Sequence, residues 1–408
     1  MTVTIRPSAP AGVAAAPPSK SMAHRALICA GLSRSGGSAV HGVAPSQDVL
    51  ATLDCLAALG AEFSYENETA AFSRGAEVFA PPAHAVLPCR ECGSTLRFFI
   101  PLALLSSREL RMTGSETLRN RPLGVYQEIC AAQSLRMKKR AEGLRLQGPL
   151  SPGEYRIPGD ISSQFVSGLL FALPLLDSDS VLRLLPPVES RPYIDMTRAA
   201  LRAFGVEADW TDGTSISIRG GQTYRPREIT VEGDWSNAAF FLALGVPVTG
   251  LEPDSLQGDK VCVAYFRALD QGKAELDISD CPDLGPVLFA YAAARHGGRF
   301  SGTRRLRLKE SDRAAAMREE LKKFGVSVEI GENTVTVGCG MRPPSETLDG
   351  HNDHRIVMAL SVLCTRTGGT IRGAEAVNKS FPDFFRRLRA LNVDISSAPA
   401  GEWSGNGI

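Results

Sequence analysis

A long, mostly apolar helical segment with a polar or charged start recurs six times along this chain. The copies begin near Ser19, Gly93, Ser162, Trp235, Asp283 and Asp353. Behind each comes a second, amphipathic helix, at 48–60, 122–133, 193–205, 260–272, 313–325 and 381–392. In 313–325, Met317, Leu321 and Phe324 mark one face while Arg318, Glu319, Glu320, Lys322 and Lys323 mark the other, the period of a helix lying on a core. Gly205 and Gly325 read as C-terminal caps, and Pro192 and Pro382 stand at helix starts, where a missing N–H costs nothing. The long segments differ: 167–176 and 355–364 are apolar nearly all round, as in helices buried inside a domain. Short β-branched runs such as 228–233 and 333–338 read as strands.

Each copy therefore reads strand, long helix, strand, amphipathic helix, then one or two strands. Spread over 408 residues, six copies take 68 residues apiece. A repeat of this kind settles architecture before any motif is consulted. It predicts an α/β fold of six βαβαββ-type repeats, three per domain, with buried helices and outer sheets. Junctions at 17–20 and near 231–235 predict one domain from 1–18 plus 231–408, holding both termini and repeats four to six. Repeats one to three, 19–230, form an inserted domain. The cleft between two such domains is the expected binding site.

Bulk properties narrow the function. With 45 basic and 44 acidic residues the net charge is +1, which argues against a nucleic-acid or membrane-surface role. Any anion binding must come from local clustering. The nine cysteines are scattered, several on apolar helix faces, as in a reduced, cytoplasmic chain. Cys89 and Cys92 form one C-x-x-C, but no second pair stands at zinc spacing, so no metal is expected. The N-terminus lacks a signal-peptide pattern, and no run of 18 apolar residues is present, so no membrane span is expected. The chain contains neither a P-loop nor a G-x-G-x-x-G, which disfavours nucleotide binding.

The local clustering lies at the helix starts. Lys20, Ser21 and Arg25 open the first long helix; Gly93, Ser94, Thr95 and Arg97 the second; Ser162 and Ser163 the third; Asp353, His354 and Arg355 the sixth. Arg121, Lys309, Arg313 and Lys379 precede or open second helices, with Glu310 among them. Free N–H groups and the positive dipole end make helix N-termini anion sites. Fixed cations around a few carboxylates suit a multiply anionic substrate and proton transfer. Each residue also has a plainer role. Ser162, Ser163, Ser190 and Ser380 suit N-caps, Asp283 suits a cap on 282–294, and Glu310 with Arg313 suits a surface helix pair. His351, Asp353 and His354 form only a thin metal pattern. Common phase within one repeat favours the functional reading.

The motifs PSKSMAHR, CGSTLR, NRPLG, SSQFVSGLL, SRPYIDMT, LKESDR, NDHRIVMA and NKSFPDF, in this order, resemble those of the 5-enolpyruvylshikimate-3-phosphate synthase (3-phosphoshikimate 1-carboxyvinyltransferase) family. The resemblance covers essentially the whole chain. It implies two domains of three repeats, a monomer, and no metal or organic cofactor. It also implies transfer of the carboxyvinyl group of phosphoenolpyruvate to the 5-hydroxyl of 3-phosphoshikimate, with release of phosphate. By position, Lys20, Ser21, Arg25, Ser162, Ser163, Gln164, Ser190, Tyr193, Asp283 and Lys309 would hold 3-phosphoshikimate. Lys20, Gly93, Arg121, Gln164, Arg313, Arg355 and Lys379 would surround phosphoenolpyruvate. Asp283 would act as base on the attacking hydroxyl and Glu310 as proton relay at the methylene carbon. Lys20 would assist and His354 support.

Two positions depart from the pattern: Glu91 and Arg305 stand where many members carry Asn. Backbone space at Gly93 implies sensitivity to glyphosate, a compact anion. Two rivals remain. A related enolpyruvyl transferase acts on a UDP-sugar, but carries Lys-Asn where this chain has Lys20-Ser21. A non-catalytic polyanion-binding module would leave Asp283 and Glu310 without a task.

Overall fold

The computed structural model describes residues 1–398. The chain forms two compact units. One comprises Met1–Pro17, Trp235–Pro253 and the chain from Asp259 onward; the other comprises Pro18–Asp234 and Asp254–Gly258. Each unit has its own apolar core. Leu27, Phe98, Phe99, Phe171 and Leu201 lie in that of the inserted unit. Phe240, Phe289, Met317, Leu360 and Phe384 lie in that of the unit holding the N-terminus.

Five four-stranded sheets share one pattern. The first two strands pair in parallel and the next two pairings are antiparallel. The inserted unit has three of them. One is built from Glu228–Thr230, Ser38–His41, Thr69–Arg74 and Glu62–Glu66. The second uses Val86–Pro88, Leu110–Thr113, Gly143–Gln147 and Arg136–Arg140. The third uses Glu154–Pro158, Ser180–Leu185, Ser215–Ile218 and Ala208–Trp210. In the other unit the sheets are Ala274–Asp277, Gly298–Ser301, Thr334–Val337, Val328–Ile330, and Leu348–Asp349, Gly369–Arg372, Thr2–Ile5, Ile395–Ala398. Parallel neighbours need a crossover, and in four of these sheets a long helix supplies it. Two sheets borrow a strand from far along the chain: Glu228–Thr230 completes the first, and Thr2–Ile5 completes the last. The fourth copy keeps only a two-residue parallel pair, Val248–Thr249 with Ala14–Ala15.

The long helices are Lys20–Leu32, Gly93–Ala103, Ser163–Ala172, Trp235–Ala243, Gly285–Ala293 and His354–Thr367. Four of their starts are fixed by side-chain caps. The side chains of Ser19, Cys92, Ser162 and Asp353 accept from backbone N–H groups of the first turn. Gly168 sets the approach of two of them, because a methyl there would overlap the Arg97 carbonyl and the Tyr126 hydroxyl. Two second helices are shorter than the periodicity predicts: 122–133 holds Gly124–Ala132, and 381–392 holds Phe384–Ala390. Gly205 and Gly325 follow their helices at φ 79° and 78°, a left-handed conformation that glycine adopts without strain. Among the described residues no helix is long and apolar enough to cross a membrane. All nine cysteines are free, and only Cys339 is exposed.

Candidate active site

The candidate residues fall in two groups, one in each unit. In the inserted unit the start of the first long helix is pinned by a returning segment. Gln257 receives the Ser19 hydroxyl at 3.2 Å and donates to Glu232 at 2.9 Å and to the Gly233 carbonyl at 2.8 Å. The Lys20 N–H reaches Asp234 at 3.1 Å. From this fixed start the Lys20 ammonium meets Asp48 at 2.7 Å, both side chains largely buried.

Arg25, one turn further on, is 3% exposed. Its Nε donates to Thr197 Oγ1 at 2.8 Å, and its terminal nitrogens donate to the Ser21 carbonyl at 2.6 Å and the Tyr193 carbonyl at 2.9 Å. The Phe98 ring lies beneath it at 5.4 Å. All these partners are neutral, and among the described residues no carboxylate pairs with it. Burial lowers its pKa to about 10, so it is still charged at neutral pH. A buried cation without counter-charge is costly, and a bound anion relieves that cost.

The second and third long helices bring Gly93, Arg97 and Gln164 together. Arg97 donates to Gln164 Oε1 at 2.6 Å and the Gln164 amide donates to Ser94 at 2.9 Å. A methyl on Gly93 would collide with the Arg121 guanidinium, so Arg121 lies directly over that glycine. Ser162 is an N-cap, accepting from the Gln164 N–H at 3.4 Å. Ser190 is not a side-chain cap: it sits in the left-handed region at φ 57°, ahead of the helix Arg191–Ala203, and is 2% exposed. A non-glycine residue held there at a helix start marks a constrained position.

In the other unit, Arg313 is the hub. It is 1% exposed and donates to three carboxylates: Asp283 at 2.8 Å, Glu310 at 2.6 Å and Asp353 at 2.9 Å. Burial opposes its charge, but the three carboxylates outweigh that and raise its pKa. Asp283 does not cap a helix. Besides Arg313 it meets Lys309 at 3.1 Å and Arg355 at 3.2 Å. Burial works to raise its pKa, yet Arg355, Lys309 and Arg313 together hold it well below the ordinary carboxylate range. Arg355 is also anchored on Ser236 at 2.6 Å, a contribution from the fourth long helix. Lys379 donates to the Asn352 carbonyl at 2.7 Å. His354 is buried, its Nδ1 3.8 Å from Asp353. Glu310 and Arg313 are thus no surface pair. Arg305 is buried too, donating to the Ser279 carbonyl.

The structure brings Lys20, Ser21, Arg25 and Tyr193 together in one unit and Asp283, Lys309, Glu310, Arg313 and Arg355 in the other. Sequence reasoning missed three of the residues that hold them, Asp48, Thr197 and Ser236, and named Asp353 only as a helix start. Asp353 was visible as the acidic residue before His354, and Asp48 as an acid in the first turn of its helix. Thr197 closes the motif SRPYIDMT, but a hydroxyl there carries no sign of its task, and Ser236 carries no sequence signal at all.

The arrangement has parallels. A model of the family described as EPSP synthase (3-phosphoshikimate 1-carboxyvinyltransferase) matches residues 6–388. The 3-phosphoshikimate 1-carboxyvinyltransferase of Clostridium kluyveri is 38% identical, over 98% of this chain and 99% of its own. That of Clostridium novyi is 36% identical over the same shares. A solved EPSP synthase from Acinetobacter baumannii has the same fold, with a TM-score of 0.76 at 23% identity, covering 97% of this chain and 100% of its own. Carried over nearly the whole length by relatives above a third in identity, the likeness is one of family and not only of fold: the chain belongs to the EPSP synthase (3-phosphoshikimate 1-carboxyvinyltransferase) family of enzymes.

Proposed function

We propose that this enzyme transfers the enolpyruvyl group of phosphoenolpyruvate to the 5-hydroxyl of 3-phosphoshikimate, giving 5-enolpyruvylshikimate 3-phosphate and phosphate. The observation that carries this reading is the placement of two titratable carboxylates, Asp283 and Glu310, on the single guanidinium of Arg313, with Lys309 and Arg355 beside them. Each substrate carries a carboxylate and a phosphate, about three negative charges at neutral pH. Fixed arginines suit both groups because their planar forks bind them bidentately. Arg25 takes the carboxylate of 3-phosphoshikimate, the anion its neutral surroundings lack. Ser162, Ser163 and Ser190 take its phosphate. Gly93, Arg121, Arg313, Arg355 and Lys379 serve phosphoenolpyruvate. The reading requires both units to act on one pair of substrates.

In the addition step the substrate hydroxyl oxygen bonds to C2 of phosphoenolpyruvate. Its proton passes to Asp283, and C3 gains a proton from Glu310. In the elimination step C3 returns a proton to Glu310, the bond from C2 to the phosphate oxygen breaks, and the proton held by Asp283 passes to the departing phosphate. Asp283 is a weak base while three cations hold it. Substrate anions draw on the same cations, so binding raises its proton affinity at the moment it is needed. Lys20 assists either transfer, and its pairing with Asp48 fixes its ammonium. In this reading the chain works as a monomer in the cytoplasm, which suits its free, mostly buried cysteines. Glyphosate competes with phosphoenolpyruvate at Gly93 and Arg121.

Released phosphate, measured with both substrates present and with each omitted, tests the reading. Phosphate should appear only with both. Release from phosphoenolpyruvate alone would make the protein a phosphatase, and no release with both would defeat the proposal.

A further inference from the structure

Three side chains that are far apart in the sequence meet beside Lys20. Atoms of His24, Asp48 and Cys92 able to ligate a metal all lie within 4.8 Å of one another, and all three residues are buried. His24 Nε2 stands 3.8 Å from Cys92 Sγ. In a tetrahedral zinc site, bonds of about 2.0 Å to nitrogen and about 2.3 Å to sulfur set that edge at roughly 3.5 Å. A shift of a few tenths of an ångström therefore brings the pair to ligand geometry.

The surroundings favour ligation over mere packing. His24 Nδ1 lies 2.7 Å from the Thr52 hydroxyl, which lies 2.8 Å from the Thr95 hydroxyl. In the tautomer where Nδ1 donates to Thr52, the lone pair of Nε2 faces Cys92. Outer hydrogen bonds of this kind orient metal-bound histidines. Burial, then Lys20 and Arg25, holds the His24 pKa well below its ordinary value, so the ring is neutral, the form that ligates. The Thr95 N–H donates to Cys92 Sγ at 3.3 Å and fixes the sulfur at the start of the second long helix. Burial raises the thiol to about 12, so it stays protonated and quiet until a cation takes its place.

We infer that His24, Cys92 and Asp48 form an inhibitory site for a thiophilic divalent cation such as zinc. On binding, the Cys92 S–H bond breaks, a sulfur–metal bond forms and the proton leaves to solvent. Nitrogen from His24 and a carboxylate oxygen from Asp48 complete three protein ligands. A fourth position stays open, as in zinc sites that keep an exchangeable ligand. The cost falls on Lys20, whose ammonium is held by Asp48 at 2.7 Å. A dication on Asp48 weakens that pair and repels the ammonium, so an occupied site loses turnover.

Cobalt, which reports thiolate ligation by absorption, tests this in the whole protein with Cys339→Ser, removing the one exposed cysteine. Co²⁺ should give a thiolate-to-cobalt charge-transfer band that saturates at one equivalent. Zn²⁺ should erase the band, and phosphate release should fall in proportion to occupancy. Adding Cys92→Ser should weaken cobalt binding at least tenfold and remove the band, and His24→Gln should weaken binding at least tenfold. Circular dichroism checks that each variant is folded, and if Cys92→Ser is not, His24→Gln decides. No band, or a band unchanged by the variants that fold, overturns the inference. Because the band does not depend on turnover, this result is separate from the outcome of the phosphate assay.

Discussion

Two buried arginines, one in each unit, are held in opposite ways. In the inserted unit Arg25 is surrounded by a hydroxyl and two carbonyls. In the other, Arg313 is locked by three carboxylates. A cation held by neutral dipoles keeps its charge available and binds an anion directly. A cation held by carboxylates is already compensated, so an anion must compete for it, and the carboxylates are then released for proton chemistry. The first arrangement suits recognition and the second suits reaction. Lys20, paired with Asp48, differs from Arg25 within the inserted unit, and it is where the two roles meet.

The strongest way to break this comparison is to remove the proposed chemistry. Glu310→Gln and Asp283→Asn should each lower kcat by about 10²–10⁴, the usual worth of a positioned acid or base, with far-ultraviolet circular dichroism unchanged. If kcat holds while thermal stability falls, the carboxylates serve only to neutralise Arg313.

Removing the cations sharpens it. Arg313→Met leaves three buried carboxylates without their shared partner and should cost about 3–5 kcal/mol of stability. Arg25→Met leaves only neutral acceptors and should cost about 1–2 kcal/mol, while raising KM for 3-phosphoshikimate by roughly 10²-fold, about 3 kcal/mol of lost charge-pair binding. Denaturant melts and steady-state kinetics on both variants check this. Equal losses of stability would erase the distinction.

A smaller effect is expected at Gly93. The added methyl of Gly93→Ala must push Arg121 aside. KM for phosphoenolpyruvate should rise about tenfold, or ~1.4 kcal/mol, and glyphosate should inhibit less well. An unchanged KM would remove Arg121 from that subsite.

The smallest is a dependence on acid. Asp283 has a depressed pKa in the folded protein. Its contribution to stability is therefore full above the unfolded value near ~3.9 and is lost as pH falls through the lower folded value. Wild-type protein should lose thermal stability below about pH 4 more steeply than Asp283→Asn. Parallel curves would mean that the three cations do not act on this carboxylate as their distances suggest.

Much of this was legible in the chain itself. Helix periodicity, glycine stops and capping residues are local properties, so the six long helices and the cation-bearing starts at Lys20, Gly93 and Asp353 follow from neighbouring residues. The α/β class followed from the same pattern. Other features needed the fold. Arg25 meets Thr197 across 172 positions. The strand Thr2–Ile5 closes a sheet with Gly369–Arg372 and Ile395–Ala398. Arg313 gathers acids from three segments, and His24, Asp48 and Cys92 converge beside Lys20 although no spacing announces them. Local sequence fixes where a side chain starts and which way its helix runs, because those depend on backbone hydrogen bonds within a few residues. Which charges meet depends on how helices pack, and that is decided by core side chains scattered along the whole chain.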